Sequence, residues 1–248
     1  MHRDKVGIFT IYHRNKEEFA RLTDEIFVRE EYKFTSSIEA PFIIDCGSHI
    51  GMSILYFKKL YPKAQIIGFE PNPDNFKILQ KNIAENNITN VQLINAALSS
   101  RKGTAELKTS KDKDEPWTWG DTIIDNLRGD DSIHRKVTVP TVKLSEYITG
   151  PVDFMKIDVE GAEQIILNEI KDRMQLIAKL DLEFHDTPTG RHVNSFDSVI
   201  KLLQDGGFTI EATARNKKIV FEDFAKYMRN TFGVYCVKCA IRATREQL

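Results

Sequence analysis

The sequence has few cysteines, few glycines and prolines, and no long apolar run. Its 248 residues include three cysteines, an odd and sparse set that argues against a disulfide framework. With 13 glycines and 8 prolines, collagen-like and linker-rich chains are excluded. No stretch approaches the roughly 18 apolar residues of a membrane span, and the first residues lack the apolar core of a signal peptide. We therefore predict a cytoplasmic protein with no membrane partner.

Excess charge of either sign is also missing. The 35 Lys and Arg residues balance 36 Asp and Glu residues, for a net charge of −1. A protein that binds nucleic acid usually carries a concentrated basic footprint, so we predict no nucleic-acid partner. The single C-x-x-C motif, Cys236 to Cys239, has no second pair and predicts no zinc site.

Short apolar runs alternate with helical patterns from residue 42 onward. Strands are predicted over residues 42–46, 65–69, 91–97, 152–159 and 180–184, with a final pair over 208–214 and 233–240. Helices are predicted over 50–61, 162–174 and 196–203, and another begins after Asn72, which can cap it, with Pro73 in its first turn. This alternation is typical of a parallel sheet covered by helices. We therefore predict an α/β fold with a single Rossmann-like domain.

Two segments fall outside this rhythm. Residues 16–33 place apolar side chains at helical spacing, so residues 1–36 are predicted to form an N-terminal helical extension before a main domain over 37–248. Residues 101–136 are charged, show no clear period and contain both tryptophans, Trp117 and Trp119. A long irregular insert is either a solvated excursion or a functional loop, here a substrate lid.

A glycine turn joins the first predicted strand of the main domain to its helix. It has the pattern D-x-G-x-x-x-G, with Asp45, Gly47 and Gly51. Glu70 follows at the end of the next strand, where doubly wound sheets place an acid against ribose hydroxyls. The three-glycine spacing fitted to a pyrophosphate is absent, and Asp45 suits a ligand with a cationic end.

Two later strands carry polar stripes that a central parallel strand normally lacks. Lys156, Asp158 and Glu160 alternate with apolar residues, and so do Asp181, Glu183 and His185. Ligands of open α/β sheets bind at the C-terminal ends of strands, where these stripes lie. The alternative is a structural ion pair between Lys156 and a carboxylate.

Five segments together resemble the class I S-adenosylmethionine-dependent methyltransferases and, more narrowly, the FkbM family. They are FIIDCGSHIGMS (42–53), IIGFEPNPDNFKILQKNI (66–83), LINAAL (93–98), DFMKIDVEGAE (153–163) and DLEFHD (181–186). The likeness spans about residues 30 to 206. It implies a mostly parallel seven-stranded sheet with an antiparallel last strand, and O-methylation of a hydroxyl on a sugar, polyketide or similar secondary metabolite.

The resemblance also implies a set of cofactor contacts. Asp45, Gly47 and Gly51 would line the methionine part of S-adenosylmethionine, Glu70 the ribose, and Asn95 with Ala96 the adenine edge. The remaining predicted cofactor contacts are Ser48, Ser53, Pro71 and Asp158.

Methyl transfer to an alcohol needs a group that takes the hydroxyl proton. His185 is the first candidate, because an unperturbed imidazole accepts a proton near neutral pH. Asp158 and Glu160 are competing bases. Alternatively, Asp158, Glu183 and His185 could bind a divalent ion that lowers the pKa of the hydroxyl. We commit to no metal.

The sequence thus predicts an S-adenosylmethionine-dependent O-methyltransferase whose partner is a small hydroxylated acceptor. The alternatives are a nicotinamide-dependent oxidoreductase on the same architecture and a non-catalytic module that keeps the cofactor pocket. A homo-oligomer is left open.

Overall fold

The computed structural model describes residues 1–112, 114, 116–125, 132–186, 193–214, 217–219 and 237–244. The strands are β1 His2–Val6, β2 Phe9–His13, β3 Phe42–Cys46, β4 Gln65–Phe69, β5 Val91–Ile94, β6 Ala97–Leu98, β7 Gly103–Ser110, β8 His134–Val142, β9 Phe154–Ile157, β10 Lys179–Asp186, β11 Thr209–Ala214, β12 Lys217–Ile219 and β13 Val237–Thr244. The α-helices are α1 Lys16–Thr23, α2 Met52–Leu60, α3 Pro73–Glu85, α4 Glu163–Glu169 and α5 Phe196–Asp205. A π-helical turn, Asp24–Val28, continues α1, and 3-10 turns span Leu144–Glu146 and Lys171–Leu176.

Among the described residues, the main sheet has eight strands in the order β12-β11-β13-β10-β9-β3-β4-β5. The five strands from β10 to β5 pair in parallel, whereas β13 runs antiparallel to both β10 and β11. The predicted mostly parallel α/β sheet with an antiparallel last strand is confirmed. The short β12 adds an eighth strand to the seven expected.

Strand β3 lies at the centre of the sheet and is buried on both faces. Ile43 joins an apolar cluster that includes Leu55 of α2, and Ile44 joins a second cluster that includes Val199 of α5. Helices therefore cover both faces, as the alternating pattern predicts. This arrangement brings the loops after β3, β4, β5 and β9 to one edge of the sheet.

Helix α3 begins where its sequence signals predict. The side chain of Asn72 accepts a hydrogen bond from the backbone N–H of Asp74 (2.9 Å), and Pro73 is the first helical residue. Both signals are local, so the sequence alone suffices to place this helix start.

The N-terminal segment is not wholly helical, which corrects the prediction for residues 1–36. It opens with an antiparallel hairpin of β1 and β2 around Gly7, whose φ is +58°. Phe9 and Ile11 alternate inward. Asn86, the residue that follows α3, bonds both the N–H and the C=O of Thr10 in β2 through its side-chain amide, at 2.8 and 2.7 Å. Each of these strands has five residues, which are too few for the alternation of apolar and polar side chains to identify a strand from the sequence alone. The helix predicted over 16–33 ends at Val28, with its last turn π-helical.

The insert is more regular than predicted. Strand β7 pairs antiparallel with β8 from Gly103↔Thr141 to Ser110↔His134, and β6 pairs in parallel with β8. The expectation of an irregular segment over 101–136 is thus wrong at both ends. The two strands are separated by more than 20 residues with no tight-turn signal, so their pairing has no local signature. Residues 126–131 of the insert lie outside the described residues.

At the C-terminal end, the predicted strand over 233–240 begins outside the described residues, and Cys236 lies outside them too. Strand β13 begins at Val237 and continues to Thr244. In the part of the chain that the structure describes, no helix has the length and apolar character needed to cross a membrane.

Candidate active site

A cavity opens at the C-terminal edge of the parallel strands. It measures about 800 Å³, including the space at its mouth. Its floor is formed by residues that follow the strand ends, including Gly47, Glu70 and Asp158, and its other walls come from Tyr32 in the N-terminal segment and Trp119 in the insert. This is where open α/β sheets bind ligands.

The two glycines of the turn serve close backbone packing. Gly47 and Gly51 both have φ of +92°. A Cβ atom at Gly47 would lie 1.9 Å from the carbonyl oxygen of Asp158, and one at Gly51 would lie 2.5 Å from Cδ1 of Leu79. Gly47 lines the cavity, whereas Gly51 fits the turn against α3.

Several predicted cofactor residues lie beneath the turn and do not line the cavity. Asp45 is fully buried, accepts a hydrogen bond from Oγ of Ser53 (2.6 Å) and faces Nζ of Lys156 at 3.6 Å. Oγ of Ser48 donates to the carbonyl oxygen of Asp45 (3.2 Å). These residues support the loop from below.

Glu70 is held at the cavity wall by backbone amides. Its Oε2 accepts from the N–H of His49 (2.8 Å) and its Oε1 from the N–H of Asn72 (2.9 Å). Burial raises the pKa of Glu70 to about 7. Each carboxylate oxygen keeps a further lone pair for a ligand hydroxyl.

The residues after Glu70 are fixed by Asn95, whose Nδ2 donates to the carbonyl oxygens of Glu70 (2.8 Å) and Pro71 (3.2 Å). Pro71 and Ala96 line the cavity, and Asn95 lies behind them.

Lys156 forms the buried ion pair that the sequence left as an alternative. Its Nζ lies 3.2 Å from Oδ2 of Asp158 and donates to the carbonyl oxygen of Gly47 (2.8 Å). Burial alone would lower the pKa of Lys156, but Asp158 and Asp45 raise it. Oη of Tyr32 also donates to Oδ2 of Asp158 (3.3 Å). Asp158 therefore lines the cavity with its carboxylate already oriented.

His185 lies among three carboxylates. Nδ1 is 2.9 Å from Oε1 of Glu163, and Nε2 is 3.2 Å from Oε1 of Glu183 and 3.4 Å from Oε2 of Glu160. Burial opposes a charge here, yet Glu160 and Glu163 raise the pKa of His185 well above its usual value. The surrounding carboxylates thus favour the protonated imidazole, whose Nδ1 hydrogen-bonds to Glu163, and this geometry disfavours the predicted role of His185 as a free base.

Of the predicted catalytic set, Asp158 and Glu160 line the cavity, while Glu183 and His185 lie behind it. The three residues of the metal alternative, Asp158, Glu183 and His185, do come together: each offers a ligand atom, and these atoms lie within 4.8 Å of one another.

His49 is a cavity residue that the sequence reasoning missed. Its Nε2 lies 2.9 Å from Oγ1 of Thr118, and its buried Nδ1 has no hydrogen-bond partner among the described residues. Burial lowers the pKa of His49, so the ring is neutral. A lone histidine carries little signal, but its position between Gly47 and Gly51 could have drawn attention to it.

The insert contributes one wall of the cavity through Thr118, Trp119, Asp121 and Ile123. Nδ2 of Asn72 donates to Oδ2 of Asp121 (2.6 Å), which ties this wall to the start of α3. The predicted lid segment therefore lies against the cavity, and its function as a lid stays a prediction.

A strand-edge cavity with an acid after the second parallel strand is typical of α/β proteins that bind nucleotide-like cofactors. The family model for the methyltransferase FkbM domain matches residues 45–210, so the chain belongs to this family and is a methyltransferase. The predicted family resemblance is confirmed.

Curated relatives agree with this assignment. The chain is 28% identical over 236 residues to Methyltransferase sdnD of Sordaria araneosa, covering 84% of this chain and 87% of the relative. It is 27% identical over 211 residues to Methyltransferase 1 of Beauveria bassiana, covering 79% and 83%.

Among solved structures, the methyltransferase FkbM of Methylobacillus flagellatus KT superposes with a TM-score of 0.55 at 13% identity, covering 89% of this chain. The chain spans 47% of the length of that protein, and the likeness extends to the fold.

Proposed function

We propose that this methyltransferase transfers a methyl group from S-adenosylmethionine to a hydroxyl of a small molecule, a sugar or other secondary metabolite. The observation that carries the proposal is the charge of the cavity. Five acidic side chains line it, and the described lining contains no lysine or arginine: the acids are Glu25, Glu70, Asp121, Asp158 and Glu160. Such a wall suits a ligand with a sulfonium and an ammonium group.

The raised pKa values of two of these acids also favour a cationic ligand. Burial raises the pKa of Glu70 to about 7 and that of Asp121 well above its usual value. A nearby positive charge stabilises the ionised form of a carboxyl group, so a bound cation would offset the cost of burying these acids.

The remaining chemistry of the cavity also fits the cofactor. The neutral Nδ1 of His49 is a buried acceptor with no hydrogen-bond partner in the described chain, and an O–H or N–H of a ligand would satisfy it. Phe69, Pro71 and Ala96 supply apolar surface for an aromatic base.

When bound, S-adenosylmethionine supplies an activated methyl group on a cationic sulfur. The residues of this chain would bind and orient: Glu70 accepts hydrogen bonds from ribose hydroxyls, and the oriented carboxylates of Asp158 and Glu160 are the candidates to take the acceptor proton. Positioning can lower a barrier by about 7–11 kcal/mol, whereas a general base supplies about 10²–10⁴-fold in rate. Geometry is therefore expected to dominate the catalysis.

His185 contributes through Glu160. Its imidazolium is close to Glu160 and Glu183 and is anchored by Glu163, whose Oε1 and Oε2 accept from the N–H of Gly161 (3.0 Å) and from Nδ2 of Asn194 (2.5 Å). In this arrangement it holds the carboxylates in place and keeps its proton.

Calorimetry with two ligands tests the proposal. S-adenosylhomocysteine should bind, while NAD should not, because the acidic wall repels a pyrophosphate. Binding of NAD in preference to S-adenosylhomocysteine would favour an oxidoreductase and contradict the proposal. Turnover of labelled S-adenosylmethionine with hydroxylated acceptors then separates an enzyme that methylates hydroxyls from a binding module.

A further inference from the structure

The N-terminal helix α1 lies outside the matched family domain, yet its buried acid bonds the cavity wall. Glu18 is 5% exposed. Its Oε1 accepts hydrogen bonds from the backbone N–H groups of Thr118 (2.8 Å) and Trp119 (2.5 Å), about 100 residues later in the chain. A carboxylate buried this deeply is stable only when such donors compensate it.

The same carboxylate also faces the glycine turn. Oγ1 of Thr118 lies 3.5 Å from Oε1 of Glu18, and Nε2 of His49 lies 3.7 Å from it. Oγ1 of Thr118 donates to Oδ1 of Asn75 (3.2 Å), so it accepts from Nε2–H of His49. The proton of His49 is thereby held on Nε2, and Nδ1 is left as an acceptor.

A second contact joins α1 to the insert. Arg21, one turn after Glu18, places Cζ 5.4 Å from the ring centroid of Trp117 and 5.6 Å from that of Trp119. The two indole rings are themselves 5.7 Å apart. Leu22, on the same face of the helix, lines the cavity.

We infer that Glu18 is a positioning residue, which holds residues 116–122 as the roof of the cavity and sets the acceptor face of His49 toward a bound ligand. The N-terminal helix then belongs to the ligand-binding machinery of this methyltransferase. The inference rests on the proposed function for the identity of the ligand, and on the contacts of Glu18 for the roof itself.

The chain carries its own optical probe for this test. Trp117 and Trp119 are its two tryptophans, so intrinsic tryptophan emission reports on the roof alone. Three variants of the full chain are compared with the unmodified protein: Glu18→Ala, Glu18→Gln and Glu17→Ala. Glu17 is the matched control, because it lies on the same helix with a side chain 69% exposed, and its contact with Nη2 of Arg21 (3.4 Å) joins two exposed side chains and contributes little.

We expect Glu18→Ala to shift the emission to longer wavelength, to increase quenching by acrylamide and to weaken S-adenosylhomocysteine binding about tenfold or more, since two hydrogen bonds to a charged acceptor are lost. Glu18→Gln keeps an oxygen that can accept both N–H groups but lacks the charge, so it should recover most of the emission and lose about threefold in affinity. Glu17→Ala should match the unmodified protein in both measurements.

Unchanged emission or unchanged affinity in a folded Glu18→Ala variant would overturn the inference. If that variant does not fold, Glu18→Gln decides: affinity equal to that of Glu17→Ala overturns it. If the unmodified protein itself fails to bind S-adenosylhomocysteine, the proposed function fails, and the emission of the Glu18 variants still decides whether this residue holds the roof.

Discussion

Replacing Glu70 by Ala perturbs the cavity at the point where the acidic wall meets the sheet. The carboxylate accepts two backbone N–H bonds, from His49 at 2.8 Å and Asn72 at 2.9 Å, and it would accept two more from a ribose. Losing the ligand bonds should weaken S-adenosylhomocysteine binding by about 1–3 kcal/mol, roughly 5- to 150-fold. The assay is calorimetric titration at pH 8, where the Glu70 carboxyl group of the wild type, with a pKa of about 7, is mostly ionised.

Two measurements make that result interpretable. The variant also leaves two backbone donors without their acceptor, so its free energy of unfolding is determined by urea titration, and binding is compared only where the variant is folded. Glu39→Ala, which removes an exposed carboxylate remote from the cavity lining, should bind as the wild type does. Wild-type affinity in a folded Glu70→Ala variant would refute the ribose assignment.

Three further predictions concern stability and pH. Gly47→Ala should destabilise the fold far more than Gly51→Ala. The new Cβ at position 47 would lie 1.9 Å from the backbone oxygen of Asp158, whereas the Cβ at position 51 would lie 2.5 Å from a side-chain methyl group of Leu79. Comparable urea midpoints for the two variants would argue against this. His185→Ala should cost about 3–5 kcal/mol in urea unfolding because it leaves buried carboxylates without their partner, and a loss below about 1 kcal/mol would contradict that pairing. Because the pKa of Glu70 rises from 4.5 in the unfolded chain to about 7 in the fold, ionisation of this group destabilises the folded state as the pH increases between these two values. The free energy of unfolding of the wild type, relative to that of Glu70→Gln, should therefore fall over this window by up to about 3 kcal/mol. A difference that does not change with pH would contradict the raised pKa.

Features with local signals were predictable from the sequence. The cap at Asn72, the Pro73 start of α3 and the apolar runs of β3 and β4 depend on neighbouring residues. The position of Glu70 follows from the same rhythm, because a loop after a parallel strand must reach the binding edge.

Features that depend on distant partners were not predictable. Side-chain amides of Asn82 and Asn86, in and just after α3, hydrogen-bond to the backbone of β2 in the N-terminal hairpin. Strand β7 pairs with β8 across the insert. The environment of His185 is assembled from Glu160, Glu163 and Glu183, which belong to a loop, a helix and a strand. The sequence shows a histidine at a strand end, and only the fold shows that three carboxylates surround it.

The bond between Glu18 and the insert belongs to the same class. Glu17 and Glu18 are both acids in the first turn of α1, and the sequence gives no sign that Glu18 bonds residues about 100 positions later. Only the three-dimensional structure separates the buried residue from the exposed one.

If the acidic wall of the cavity holds a cationic methyl donor, a crystal structure with S-adenosylhomocysteine will show the ligand there. We expect the ribose hydroxyls at Glu70, the amino-acid end near the Gly47 turn, and residues 116–122 closing over the ligand. A ligand bound at another surface, or an empty cavity at saturating concentration, would contradict it.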